Sequence, residues 1–355
     1  MSIQQHAQQL LDEATSSLPG LGLQFCAFQD GKCVASAFSG DAAFDGSKKV
    51  DEHTLFPIYS TSKNVPATAL VRLVWQGKVS LDQPVTDFWS EFGKNGKENT
   101  RVLHLLNHTS GVPQRLREQT SYEAIADWDT MIHAIENVAC DWTPGTKTRY
   151  QSLSYGWLTA ELIQRITKTS FIDYIKTELG FDRNSDFIFG LDDETEKRTS
   201  DFKLANEKEK SSSFSKCDPL DDLMKNDLIR RMVQPGFNGF ASAYGLAVFL
   251  NDVVNCKFFD REHLELATGT GFRPEKGTPV CNNMMFGLGY AFCGPVDDPG
   301  LFFGHGGYGG TEVTANRDTG TVCAFTTNIL GGAEDVKAKL YALMGMKQRD
   351  GWERP

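Results

Sequence analysis

The chain has 355 residues, of which 40% are hydrophobic and 23% charged, with a net charge of -10 and a pI of about 5.3. That length supports one large domain or two ordinary ones around a sizeable core. The acidic balance excludes nucleic acid and anionic membrane as expected partners, and no apolar run reaches the roughly eighteen residues of a membrane span.

The N-terminal stretch MSIQQHAQQLLDEATSSLPG lacks a basic start and a long apolar segment. It reads as an amphipathic helix rather than a secretory signal, so the expected location is the cytoplasm. The cysteines, Cys26, Cys33, Cys140, Cys217, Cys256, Cys281, Cys293 and Cys323, are scattered with no C-x-x-C pair. Free buried thiols are therefore expected, without disulfides or a zinc site.

LGLQFCAF and KCVASAFSG flank Gln29-Asp30-Gly31 and read as a β-hairpin. Turns follow to about Asp51, and LFPIYS is a short strand or loop entering a helix. That helix carries Val65, Ala69, Leu70, Leu73 and Val74 near the 3.6-residue period, with Gly77 as its stop. Pro66 is tolerable only near the first turn. The helix is therefore expected to begin between Ser60 and Ser62, with local distortion. Residues 101 to 180 read as mainly helical, with loops at HTSGVPQ and DWTPGTKTRYQS. Residues 181 to 235 read as polar and irregular, with a surface insertion near 206–217. FASAYGLAVFLNDVV returns to helix. FGLGYAF, LFFGHGGYGG and TEVTANRDTGTVCAFTTN then give strands, with a hairpin turn at Asp318-Thr319-Gly320 and a closing helix AEDVKAKLYALM.

This order predicts an α+β class: an antiparallel sheet flanked by helices, with a mainly helical region inserted. The expected division is a mixed α/β domain from 1–66 and 236–355, a helical domain from 67–235, and an active site in the cleft between them.

Three short patterns bear on chemistry. Ser60-Thr61-Ser62-Lys63 is an S-x-x-K. A serine hydroxyl is a weak nucleophile that needs a neighbour to take its proton, and a desolvated lysine serves. Taken alone, the pattern also fits a serine cap followed by an ordinary surface lysine. Tyr150 lies between a Pro-Gly turn and an amphipathic helix, where a phenol could relay protons; a packed tyrosine is the plainer account of it alone. Gly304, Gly306 and Gly309 formally satisfy G-x-G-x-x-G, but strands follow where a dinucleotide fold needs a helix. The glycines suggest instead a strand backbone close to a ligand, with His305 aimed into the cleft or satisfied in a turn. G-x-S-x-G and G-K-[ST] are absent, and His104 and His108 lack the glutamate of H-E-x-x-H, so packing near a loop accounts for them.

Together and in this order, these patterns resemble the serine β-lactamase-like superfamily: class C β-lactamases, D-alanyl-D-alanine peptidases and esterase relatives, above all the family VIII carboxylesterases. LLNHTSGVP, WTPGTKTRYQSLSYGWLTAELIQRIT, FGLGYAF and FGHGGYGGTEVTANRDTGTVCAFTTN carry the resemblance, which covers residues 20 to 345. It implies a β-lactamase/transpeptidase-like fold and an acyl-enzyme on Ser60, with Lys63 and Tyr150 moving its proton. It places the oxyanion between the backbone N–H groups of Ser60 and Tyr308. Ser152, His305, Gly306 and Gly307 would bind substrate, and no metal or cofactor is implied. Two departures stand out. Tyr150-Gln151-Ser152 replaces Y-x-N, and His305-Gly306-Gly307 replaces K-T-G. Both point away from anionic β-lactams, since a neutral histidine offers no fixed charge.

The expected substrate is a small neutral ester, lactone or amide, and the expected activity that of a carboxylesterase. An acyltransferase of a biosynthetic pathway, a weak β-lactamase or D-amino-acid peptidase, and a non-catalytic binding protein are the alternatives. Phe237, Phe240, Tyr244 and Tyr308 are candidates for the cleft wall or for the core.

Overall fold

The computed structural model describes residues 1–114, 116, 121–182, 185–205, 220–269, 285–295 and 297–346. Cys217, Cys281 and the polar insertion expected at 206–217 lie outside them. The fold is α+β, with helices on both faces of an antiparallel sheet.

The strands are β1 (Gly22–Gln29), β2 (Lys32–Gly40), β3 (Phe56–Tyr59), β4 (Phe187–Phe189), β5 (Lys203–Leu204), β6 (Gly239–Ala241), β7 (Met285–Phe286), β8 (Ala291–Phe292), β9 (Phe302–Gly306), β10 (Glu312–Asn316), β11 (Val322–Thr327) and β12 (Ile329–Leu330). Among the described residues, seven of them form one antiparallel sheet in the order β2-β1-β11-β10-β9-β8-β7. Strands from the early and late parts of the sequence thus join in one sheet, where β1 pairs with β11. The β1–β2 turn places Asp30 at φ 50° and Gly31 at φ 72°, the left-handed pair that a two-residue hairpin demands.

Strand alternation sorts the two cores. Leu23, Phe25 and Ala27 of β1 pack with Cys323 and Phe325 of β11 against the helices Ile3–Ser17 and Glu334–Leu343. Cys26 and Phe28 of β1 and Val313 and Ala315 of β10 face the other way, toward the helix Ala243–Val254 and the larger helical core.

A smaller antiparallel sheet, β3-β6-β4, borders the turn at Ser60. It corrects two expectations. The segment from Phe240 does not enter a helix at once: Gly239–Ala241 is a strand, and the helix begins at Ala243 because Ser242 caps it, accepting from the Gly245 N–H. Nor is 181–235 merely an irregular surface, since Phe187, Ile188 and Phe189 are buried in this sheet.

The expected distortion near Pro66 takes the form of a 3-10 turn at Ser60–Lys63, followed by the α-helix Asn64–Trp75. Pro66 is the third residue of that helix, where a backbone donor has no intrahelical partner to lose. The helix ends where expected. The Gly77 and Lys78 N–H groups donate back to Val74 and Leu73, with Gly77 at φ 68°. The thiols correct a third expectation: Cys33 is exposed, and Cys140 and Cys256 are only partly buried.

Candidate functional site

The turn at Ser60 is built under strain. Tyr59 adopts φ 46°, ψ −129°, a backbone region that costs a side-chain-bearing residue roughly 1–3 kcal/mol and gathers at functional sites. This sharp corner takes the chain from β3 into the 3-10 turn. It sets Ser60 at the mouth of the turn and Lys63 one turn below, on the same face.

Lys63 is wholly buried. Its Nζ donates to Ser60 Oγ at 3.2 Å, to the Ser152 carbonyl at 2.8 Å and to the Gly236 carbonyl at 2.5 Å. No carboxylate among the described residues bonds to it, and burial alone drives its pKa well below the usual lysine value. The three acceptors match the two protonation states. As an ammonium, Lys63 satisfies all three. As a neutral amine, it keeps two N–H bonds to the carbonyls and turns its lone pair toward the serine hydroxyl.

The segments that carry these two carbonyls are themselves held. Gln234, fully buried, donates from Nε2 to the Leu153 carbonyl at 2.6 Å and accepts from the Gly236 N–H at 2.6 Å. One side-chain amide thus braces both segments that grip the lysine.

Tyr150 lies over Lys63, with Nζ 5.0 Å from its ring centroid. Its buried hydroxyl approaches Ser60 without reaching hydrogen-bond geometry, and it has no partner among the described residues. Burial pushes the phenol pKa far up, while the Ser60 hydroxyl pulls the other way. The ring stacks on Phe286 at 5.5 Å and 7° and contacts His108 at 5.1 Å.

His305, on β9, pairs with Val313. Its Nδ1 lies 2.7 Å from the Gly306 carbonyl. A carbonyl can only accept, so Nδ1 carries the proton and Nε2 presents a lone pair. Nε2 is buried with no partner among the described residues. Burial first, then the charge of Lys63, takes the His305 pKa from 6.5 down to about 3, so the ring is neutral at pH 7. Beyond it, Gly307 lies against the Ser60 turn: a Cβ there would stand 2.3 Å from the Ile58 carbonyl and 3.1 Å from Thr61 Oγ1. Thr61 Oγ1 also donates to the His305 carbonyl at 3.3 Å. Only glycine lets β9 come this close.

The structure thus brings Ser60, Lys63, Tyr150, His305, Gly307 and Tyr308 into one region, the Tyr308 ring meeting Tyr59 edge-on at 5.5 Å. Ser152 is there too, but its hydroxyl accepts from Gln114 Nε2 at 2.6 Å and its carbonyl holds Lys63. Gln151 turns inward, donating to Ser110 Oγ and the Val112 carbonyl. Of the other candidate wall residues, Phe237 and Phe240 are core, and Tyr244 is exposed against Phe28.

Sequence reasoning missed His108, Phe286 and Gln234. His108 is fully buried at φ 60°. Its Nδ1 accepts from the Gln151 N–H, and its carbonyl accepts from the Arg149 N–H. It therefore fixes the segment on both sides of Tyr150. The HTSG loop was the available signal; Phe286 and Gln234 lie in stretches with none.

Comparison with known proteins gives the family and the fold. A sequence model of the Beta-lactamase family matches residues 7–344. The Esterase/beta-lactamase LipL of Mycobacterium tuberculosis is 28% identical over 145 residues, covering 39% of this chain and 32% of that protein. The chain spans about a third of the length of the curated relatives it first matches. A family VIII carboxylesterase superposes with a TM-score of 0.84 at 19% identity, covering 97% of both chains. A penicillin-binding protein homologue from Caulobacter crescentus gives 0.81 at 22%, covering 95% of this chain and 96% of that one. At these identities the superpositions establish the fold. The chain belongs to the Beta-lactamase family.

Proposed function

We propose that this member of the Beta-lactamase family is a serine hydrolase that forms an acyl-enzyme on Ser60 and cleaves small neutral esters. The observation that carries the reading is the Lys63 amine, buried without a carboxylate partner, 3.2 Å from Ser60 Oγ and tied to two carbonyls. Those carbonyls occupy two N–H bonds of a neutral amine, and its remaining lone pair is then a base for Ser60.

In the proposed reaction Ser60 Oγ attacks the acyl carbonyl as its proton passes to Lys63. Tyr150, over both groups, relays that proton to the departing alcohol. The backbone N–H groups of Ser60 and Tyr308 take the oxyanion, and losing one such donor typically costs about 3 kcal/mol. Water, entering where the alcohol left, returns Ser60 by the reverse proton path.

Preference for an uncharged ester follows from the surroundings. His305 is neutral at pH 7, and Phe286, Tyr150 and Tyr308 present aromatic surface. The test is hydrolysis of p-nitrophenyl butyrate beside nitrocefin, by the protein and its Ser60→Ala variant. Ester turnover that disappears in the variant and exceeds nitrocefin turnover is the expected result. Equal activity in the variant would reject Ser60 as nucleophile. Faster nitrocefin turnover would reject the substrate class.

A further inference from the structure

Cys26 and Cys33 lie outside the site described above and face each other across the β1–β2 hairpin, their sulfurs 3.9 Å apart. The register explains the approach. Ala27 pairs with Ala35 but Phe28 pairs with Cys33, so Val34 is an extra residue on β2. Such a bulge re-aims the side chains beside it, and Cys33 leans over Cys26. The two thiols differ in access: Cys26 is fully buried, whereas Cys33 is exposed on β2, the outermost strand at this end of the sheet.

They also differ in acidity. The hydrogen bond from Cys26 lowers the Cys33 pKa from 9.0 to about 7, against a smaller opposing effect of burial. Burial, with the Cys33 sulfur adding to it, raises Cys26 well above its usual value. Elsewhere burial raises Cys140 to about 11 and lifts Cys256 and Cys323 as well. An accessible thiolate with a thiol behind it is the arrangement in which an oxidised sulfur finds a resolving partner.

We propose that Cys33 and Cys26 form a peroxide-reactive modification site that closes to a reversible cross-strand disulfide. The Cys33 thiolate attacks one oxygen of hydrogen peroxide. The O–O bond breaks, hydroxide leaves, and Cys33 becomes a sulfenic acid, oxidised by two electrons as the peroxide is reduced. The Cys26 sulfur then attacks the Cys33 sulfur. The S–O bond breaks, the S–S bond forms, and the departing hydroxyl leaves as water with the Cys26 proton. The sulfurs must close from 3.9 Å to a bonding distance of about 2 Å. With its Cys33 sulfur exposed, such a bond is open to reductant from one side.

The test uses the whole protein, reduced and freed of reductant, then titrated with hydrogen peroxide. Thiol counting, intact mass and peptide mapping read the outcome. The expected result is the loss of two thiols and of two hydrogens in mass, with a Cys26–Cys33 linked peptide that dithiothreitol reverses. In Cys33→Ser the linkage disappears and Cys26 remains a thiol. In Cys26→Ala the linkage is lost, and the Cys33 sulfenic acid, formed more slowly without the hydrogen bond from Cys26, is trapped by dimedone. Three outcomes overturn the proposal: Cys33 gaining two oxygens while Cys26 stays a thiol, a disulfide from Cys33 to any other cysteine, or no thiol lost under peroxide excess. Should Cys26→Ala not fold, Cys33→Ser, changed at an exposed position, still decides.

Discussion

Replacing Lys63 with Met separates catalysis from folding. Methionine keeps an unbranched chain of similar length, so the buried path to Ser60 stays filled. Two effects on stability oppose each other. The Ser152 and Gly236 carbonyls each lose a donor, at about 1–3 kcal/mol apiece. Against this, an amine held in apolar surroundings without a carboxylate is removed, and every unit by which its pKa is depressed represents about 1.4 kcal/mol at a pH where the unfolded lysine is charged. Because the two effects oppose each other, folding changes by less than the larger of them alone. The loss in rate is not: removing the base should lower kcat/KM by about 10²–10⁴-fold, a barrier increase of about 3–5 kcal/mol. The pH dependence adds a second signature. The folded pKa of Lys63 lies below its unfolded value, so between the two the unfolded chain holds the extra proton. Stability therefore rises with pH through that window and is lost as the pH falls through it. Lys63→Met lacks this slope, and its activity lacks the rise that follows amine deprotonation. Urea unfolding at pH 7 and pH 9, with p-nitrophenyl butyrate kinetics across the same range, measures both. Activity within tenfold of the parent, or an unchanged stability slope, would refute the assignment.

Tyr150→Phe removes a hydroxyl that has no hydrogen-bond partner among the described residues, so melting temperature should hold while kcat falls about 10²-fold or more; an unchanged kcat would take the phenol out of the mechanism. His305→Asn bears on acid stability. The native ring refuses a proton until about pH 3, while the unfolded ring takes one below 6.5, so stability drains as the pH falls between these values, by up to about 1.4 kcal/mol per unit. The variant should show a flatter acid limb in urea titrations from pH 6 to pH 4, and a limb as steep as the parent's would mean that the ring is charged in the native state.

What was legible in the sequence was local. The β1–β2 hairpin announced itself through Asp30-Gly31, the helix Asn64–Trp75 through its apolar stripe and Gly77, and the α+β class through the order of elements. The S-x-x-K spacing alone put Ser60 and Lys63 on one face of a turn. Contacts closed by tertiary packing were not legible. Phe286 meets Tyr150 only because β7 forms the far edge of the sheet. Gln234 reaches Leu153 across 81 positions of chain, and no periodicity marks such a residue. Phe240 and Ala241 read as helix because only Ser242 parts them from the apolar helix that follows, yet they belong to the strand Gly239–Ala241. His108 was read as packing beside a loop, and it does pack; what the sequence could not convey is that it packs on Tyr150.

On the proposed reading, the burial that makes Lys63 a base also constrains what the site can hold. An anionic substrate would draw its attraction from a charged lysine, yet a charged Lys63 cannot take the Ser60 proton. A second cation would resolve the conflict by anchoring the anion while Lys63 stayed neutral. At the β9 position, where a cation could do this, stands His305, which burial and the neighbouring lysine keep neutral down to about pH 3. The aromatic faces of Tyr150 and Phe286 then favour an uncharged acyl group that leaves the amine free to accept a proton. On the proposed reading, base strength and substrate charge are therefore one property of the site: a substitution that gives position 305 a permanent positive charge would open it to anions and, through the Lys63 pKa, shift the pH at which Ser60 is activated.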